Sequence, residues 1–329
     1  MRMEQIVLNG QALRMPAVAL GTVFFGTRVA EDEAFGLMDA YYEAGGRWID
    51  TARVYCTQLF KPEERLPSFC DSEEVIGRWI RARELEKQVT VITKGAHWNL
   101  ADHAMRVKPE CILHDFQTSL NKLGLDKIDI YFLHNDDASV PVGELVDAMN
   151  QVYASGRAGA IGVSNWQVSR IMEANRYAQA HGLVPFSISQ VKWSYALPTA
   201  QAPAGSINME GDPSQYRGYC EMNMPVMAYS SQARGFFMKV HERGFKAEGL
   251  GSAAPFLSEA NRRRAEAVFE VAQSWRISIA AASFSYQWSR EVPVTVLVGP
   301  SNVDQLRDSL RDCDYKPDAD VAEVLNAAR

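Results

Sequence analysis

Ala17-Val18-Ala19-Leu20-Gly21-Thr22-Val23-Phe24-Phe25-Gly26 is a short apolar run that empties into a loop. The loop is where two fold classes part. An open doubly wound sheet normally follows its first strand with Gly-x-Gly-x-x-Gly, which lets the backbone approach a pyrophosphate. Here four residues separate Gly21 from Gly26, and that fingerprint is missing. Working outward, comparable runs recur at Trp48–Asp50, Val89–Thr93, Ile128–Leu133, Ala160–Val163, Ser187–Val191, Val226–Ala228 and Thr295–Val298. They are short and apolar on both faces, as strands buried in a parallel sheet are.

Helical patterns lie between them. Glu31–Ala44 stops at Gly45-Gly46, and Asp71–Ala82 begins with Asp71 or Ser72 as N-cap. Ile112, Phe116, Leu120 and Leu123 form a stripe stopped by Gly124; Val142–Ser155 and Gln167–His181 each end at glycine. Ala265, Val268, Phe269 and Ala272 mark another helix, and Ser278–Trp288 and Val303–Leu310 complete the series. Eight strands alternating with helices predict a (β/α)8 barrel, a TIM barrel of the α/β class. The expected additions are extra helices after the seventh strand and at the C-terminus. Ile6-Val7-Leu8-Asn9-Gly10-Gln11-Ala12-Leu13 reads as a β-hairpin with an Asn-Gly turn, suited to plug the barrel's lower mouth. No Gly/Ser- or Pro-rich linker interrupts residues 1–329, so one domain is expected.

Composition narrows the function. The net charge of −6 argues against a protein that grips nucleic-acid phosphates, and no apolar run reaches the length of a membrane span. The opening Met-Arg-Met-Glu-Gln lacks a signal peptide's apolar core. The five cysteines are odd in number and show no Cys-x-x-Cys spacing. Neither a disulfide framework nor a metal site is expected, and a cytoplasmic location fits.

In a (β/α)8 barrel, chemistry sits where strands end. Asp50 ends the second strand, Lys94 the third and His134 the fourth; Tyr55 follows Asp50 by five residues in Ile49-Asp50-Thr51-Ala52-Arg53-Val54-Tyr55. Singly, each has a bland reading: a loop cap, packing, a core histidine. A lysine among apolar residues needs a partner, and Asp50 is the natural one. An ammonium near a phenol stabilises phenolate and lowers a pKa that otherwise lies near ~10. His134 can donate a hydrogen bond to a carbonyl oxygen. Such a group polarises a carbonyl and protonates the alkoxide, but no side chain supplies hydride, so a nicotinamide or flavin is implied.

The chain resembles the aldo-keto reductase family over essentially its whole length. The resemblance rests on Ile49-Asp50-Thr51-Ala52-x-x-Tyr55, on Leu123-Gly124-Leu125-Asp126-Lys127-Ile128-Asp129-Ile130-Tyr131-Phe132-Leu133-His134 and on Gly162-Val163-Ser164-Asn165. It implies that Asp50, Tyr55, Lys94 and His134 form the catalytic tetrad, with Tyr55 as acid in reduction and base in oxidation. It implies that Ser164, Asn165 and Gln190 hold the nicotinamide carboxamide, that Tyr229 stacks on the ring, and that Ser230, Gln232 and Ala233 lie along the pyrophosphate. Gly299-Pro-Ser301-Asn302-Val303-Asp304-Gln305-Leu306-Arg307-Asp308-Ser309 resembles the adenosine-phosphate site. Ser301 is expected to cap that helix with Asp304 as capping-box partner. Gln305 stands where many members place an arginine on the 2′-phosphate, and Asp308 and Ser309 where the family contacts adenine. The resemblance favours NADP(H) and leaves NAD(H) open.

Phe25, Trp98, Trp166 and Trp193 follow strands and either wall the substrate pocket or pack under the loops. With Arg53, Lys61 and Arg65 nearby, a polar carbonyl such as a sugar aldehyde or ketosugar is the expected substrate. In the family that the chain resembles, steroid-handling branches owe much of their apolar pocket to a longer tail, so the resemblance, with a short tail after Leu310, implies no steroid specialist. The loop from Cys56 to Cys70 and the connection Ser194–Asn223 are long, and neither oligomeric state nor the loop's role follows from them. Two rival functions stand beside the reductase. One is a cofactor-binding, redox-sensing subunit like the potassium-channel β subunits, marked by channel association and slow turnover. The other, a metal-dependent barrel hydrolase, is disfavoured because three ligands beside a base are not evident.

Overall fold

Eight parallel strands close on themselves in the computed structural model, which describes residues 1–55, 57–199 and 206–329. The antiparallel hairpin β1 (Met3–Leu8) and β2 (Gln11–Pro16) precedes them. The barrel strands are β3 (Val18–Gly21), β4 (Trp48–Asp50), β5 (Thr90–Gly95), β6 (Ile128–Leu133), β7 (Ala158–Ser164), β8 (Ser189–Lys192), β9 (Val226–Tyr229) and β10 (Val294–Val298), with β10 returning to pair with β3. The helices are α1 (Glu31–Glu43), α2 (Ser72–Arg83), α3 (Pro109–Leu123), α4 (Val142–Ala154), α5 (Val168–Ala180), α6 (Pro213–Glu221), α7 (Phe236–Arg243), α8 (Glu259–Trp275), α9 (Ile279–Trp288), α10 (Val303–Leu310) and α11 (Ala319–Ala327). The additional helices thus fall after the seventh barrel strand and at the C-terminus, as expected. Among the described residues, no helix is long and apolar enough to cross a membrane.

The hairpin turn uses Asn9 and Gly10, both with positive φ (45° and 82°), which matches the right-handed twist of a two-residue hairpin. Asn9 then ties the hairpin to the barrel floor. Its Oδ1 accepts from Ile161 N at 3.0 Å and Ser187 Oγ at 2.9 Å, and its Nδ2 donates to Pro185 O at 2.7 Å. Above it, Ile6, Leu8 and Met15 pack with Ala19, Trp48, Ile92, Ile130, Phe132, Ala160, Ile188, Met227 and Leu297. This is the plug of the lower mouth.

Those inward residues also fix the site. Side chains along a strand alternate between faces, so the residue two positions on points the same way. Two beyond Trp48, Ile92, Phe132, Ile188 and Met227 come Asp50, Lys94, His134, Gln190 and Tyr229. The apolar floor and the polar layer above it are therefore one periodic pattern.

Gly124 ends α3 in the left-handed region (φ 64°), which a side chain resists. One cap differs from expectation. Asn302, not Ser301, caps α10: its side chain accepts from Gln305 N at 2.9 Å. The helix starts at Val303, so Gln305 rather than Asp304 occupies the third position, and Gln305 Oε1 folds back to accept from Ser301 N at 2.9 Å. The connection after β8 contains α6, whose start is set by Asp212 accepting from Ser214 N and by Pro213 in the first turn. Cys56 lies outside the described residues. Cys70, at the other end of its loop, accepts from Arg78 Nη2 at 3.2 Å.

Candidate active site

Three strand ends deliver a buried cluster. Asp50 is 3% exposed and Lys94 wholly buried. Lys94 Nζ donates to Asp50 Oδ2 at 2.8 Å and to Thr51 O at 2.7 Å, and Gln190 Nε2 donates to Asp50 Oδ1 at 2.8 Å. Burial raises the Asp50 carboxyl and lowers the Lys94 ammonium from their ordinary values, and each is partly held back by the other's charge. The loop after β4 folds across the end of β5, with Thr51 N bonded to Ile92 O and Arg53 N to Lys94 O. This crossing puts the Tyr55 ring over the lysine, 5.1 Å from Nζ to the ring centroid.

His134 completes the group. Its ring meets that of Tyr55 edge-on at 5.9 Å and that of His97 at 4.6 Å. Burial drives the His134 imidazole well below its ordinary pKa, and the neighbouring His97 and Lys94 push the same way. It is therefore neutral, with an N–H to give. Its Nδ1 is closed off from solvent without a hydrogen-bond partner. So Asp50, Tyr55, Lys94 and His134 are brought together.

The residues expected around a nicotinamide also meet. Asn165 sits at φ 60°; its Oδ1 accepts from Tyr229 OH at 2.8 Å, and its Nδ2 donates to Ser164 Oγ at 3.1 Å. Burial raises the Tyr229 phenol far above neutrality, so it stays a donor. After β9 the chain passes through positive φ at Ser230, Ala233, Arg234 and Gly235, turning back toward the helix starts. Gln232 Nε2 reaches Ser309 Oγ on α10 at 2.9 Å, and Ser309 Oγ in turn donates to Gln305 O at 2.8 Å. Arg307 is exposed and pairs with Asp304 at 3.5 Å, while Asp308 pairs with Arg311 at 2.9 Å. Gly299 is exposed where β10 leads to Ser301. Amides and hydroxyls beside an aromatic ring suit a carboxamide and its heterocycle. A helix start with free N–H groups suits a phosphate. The donor set fits a dinucleotide.

The aromatic residues divide. Trp98 lines a cavity of about 190 Å³ with Arg53, His97, Arg106 and Asp115, and His97 stands between that cavity and His134. Phe25, Trp166 and Trp193 are at most 1% exposed and pack under the loops. Trp166 Nε1 donates to Asn135 O, and Trp193 Nε1 to Glu210 Oε1. Arg53 reaches the cavity, whereas Lys61 and Arg65 lie exposed on the long loop. Sequence reasoning missed His97, Arg106 and Asp115 on the cavity wall. His97 follows Lys94 by three residues, but Ala96, at φ 58°, turns it inward. Arg106 is held to Asp115 by paired contacts of 3.0 and 2.8 Å. A lysine-histidine spacing next to a strand end was the only signal.

The comparisons with known proteins agree with this geometry. A sequence profile of the aldo/keto reductase family matches residues 17–329. A probable aryl-alcohol dehydrogenase of Saccharomyces cerevisiae is 26% identical over 311 residues, covering 90% of this chain and 88% of that protein. A norsolorinic acid reductase of Emericella nidulans is 26% identical over 324 residues, covering 89% and 73%. An NADP(+) aryl-alcohol dehydrogenase of Phanerodontia chrysosporium is 29% identical over 206 residues, covering 58% and 50%. The chain belongs to the aldo/keto reductase family, oxidoreductases of carbonyl groups that generally use a nicotinamide cofactor.

Proposed function

We propose that the protein reduces an aldehyde or ketone reversibly with NADP(H), Tyr55 giving the proton. The observation that carries this reading is the Lys94 ammonium, paired to Asp50 at 2.8 Å and lying under the Tyr55 ring, with neutral His134 at its edge. Lys94 stabilises the phenolate left after proton transfer, because an ammonium in a site shut off from water acts strongly on a nearby charge. Asp50 and Gln190 hold Lys94 from behind. His134 orients the carbonyl oxygen by donating a hydrogen bond. When bound, the nicotinamide supplies the hydride.

Ser164, Asn165 and Gln190 would hold its carboxamide, Tyr229 its ring, and Ser230, Gln232 and Ala233 the pyrophosphate. Gly299, Ser301, Gln305, Asp308 and Ser309 would meet the adenosine end. NADP(H) is favoured by the cofactor in the name of the Phanerodontia chrysosporium relative. The relatives named for aryl alcohols favour an aryl carbonyl ahead of a sugar, and the tilted His97–Trp98 pair, 4.2 Å between centroids, offers a face for a flat ring.

Two measurements test the reading. Fluorescence titration with NADPH and NADH in parallel should show saturable binding, tighter for NADPH. NADPH oxidation should then follow addition of aryl aldehydes more than of sugar aldehydes. A folded sample that binds neither nucleotide sinks the proposal. One that binds NADPH, turns over too slowly for metabolism and associates with a membrane channel would instead favour a redox-sensing subunit.

A further inference from the structure

Glu210 belongs to the connection after β8 and lies outside the candidate tetrad, yet only 9% of its side chain is exposed. Its carboxylate accepts from three separate parts of the chain. Oε1 takes Trp193 Nε1, just past β8, at 2.7 Å and Tyr286 OH, on α9, at 2.6 Å. Oε2 takes Arg329 Nη2, beyond α11, at 2.8 Å. Burial and the adjoining carboxylate hold the Tyr286 phenol well above its ordinary pKa, so it stays a donor. The Arg290 guanidinium lies over the Tyr286 ring at 4.3 Å and steadies it. A carboxylate gripped by three donors in a nearly dry setting is a fixed point.

Two routes lead from that point to the same pair of residues. One runs through the strap 206–211. Glu210 N donates to Asn208 Oδ1 at 3.3 Å, Asn208 forms a bridge with Lys192, and Lys192 N donates to Ile207 O at 3.0 Å. Ile207 N then donates to Asn165 Oδ1 at 3.3 Å. The other route runs through Trp193, whose main-chain N–H donates to Tyr229 O at 3.1 Å. The routes meet where Tyr229 OH donates to Asn165 Oδ1 at 2.8 Å. Asn165 and Tyr229 are the residues assigned above to the carboxamide and the ring of a nicotinamide. Asn165 also sits at φ 60°, a conformation that surrounding contacts must hold. The residues assigned to the adenosine end are held elsewhere: Ser309 Oγ takes Gln232 Nε2 at 2.9 Å and donates to Gln305 O at 2.8 Å.

We infer that Glu210 is a positioning residue for the nicotinamide half of the cofactor: it braces the strap and Trp193, so that Asn165 and Tyr229 are set before the cofactor arrives. This rests on the cofactor placement proposed above and adds the residue that holds it. Groups already in place lose little freedom on binding, so loosening the brace weakens binding at that end.

The test titrates the purified protein with two ligands: NADPH, and 2′-phospho-ADP-ribose, which lacks the nicotinamide. Glu210→Leu should weaken NADPH by about tenfold or more, while 2′-phospho-ADP-ribose stays within about twofold of the wild type. Glu210→Gln keeps an acceptor for Trp193 and Tyr286 and should recover part of the loss. Should Glu210→Leu fail to fold, Tyr286→Phe removes one donor and keeps the ring; it should shift the same ratio in the same direction by about threefold. A wild type that prefers NADH is read with NADH and ADP-ribose in their place.

A general loosening of the fold would weaken both ligands together. Equal loss for both ligands in these variants, or no loss for the nicotinamide nucleotide, would therefore overturn the inference and leave the reductase reading standing. A folded wild-type protein that binds neither ligand sinks the reductase reading, and the inference with it.

Discussion

Gln190 and Lys94 divide the two carboxylate oxygens of Asp50 between them, each at 2.8 Å. A residue expected to face the cofactor thus shares its anchor with the residue expected to tune the proton donor. The pair is buried, so its parts are worth more as a set than singly. Removing one partner strands the other's charge, at a cost of about 3–5 kcal/mol. Asp50→Asn should therefore lower stability by that order in urea unfolding. Asp50→Asn combined with Lys94→Met should be more stable than Asp50→Asn alone, because the stranded ammonium is gone. A double variant that is less stable by the sum of the two singles would show that the groups do not act as a pair.

His134 and His97 both have pKa values lowered by burial. The unfolded chain then binds more protons than the folded one at pH below the ordinary histidine value of 6.5. Stability is full above that value and falls as pH drops through it. Urea midpoints measured from roughly pH 7.5 to 5.5 should decline, and the variant carrying both His97→Asn and His134→Asn should decline less. Parallel curves would contradict the burial of neutral imidazoles.

Glu73 has the opposite sign. Burial pushes its carboxyl up to about 7, against the hydrogen bond from Thr93. The folded state holds the extra proton, so this contribution is full below the unfolded value of 4.5 and is lost as pH rises through about 7. Glu73→Gln, which stays neutral, should gain on the wild type by roughly 1–3 kcal/mol between acid and mildly alkaline pH. A stability difference independent of pH would mean that Glu73 is not buried as described.

The fold was legible because its signals are local. Trp48–Asp50, Ile128–Leu133 and Val303–Leu310 begin and end where the sequence predicted, since each is an apolar or periodic run bounded by turn or charged residues. Asp50, Lys94 and His134 were legible for the same reason: each extends a strand's inward face by one step. Other features depend on contacts between distant segments. His97 turns on a positive φ at Ala96, and Asp115 reaches the same cavity from α3, so neither announces itself along the chain. Trp166 and Trp193 follow strands, as pocket walls would, yet find partners in Asn135 and Glu210 and are buried instead. The Asn302 cap was mistaken for Ser301 because both are good cap residues and only the backbone distinguishes them.

The central claim is that Tyr55 is the proton donor of a nicotinamide-dependent carbonyl reduction, and Tyr55→Phe tests it most directly. The substitution removes the hydroxyl and keeps the ring over Lys94. NADPH affinity by fluorescence titration should stay near that of the wild type, while kcat for an aryl aldehyde should fall by about 10²–10⁴-fold. Wild-type turnover in a variant that still binds NADPH would contradict the account.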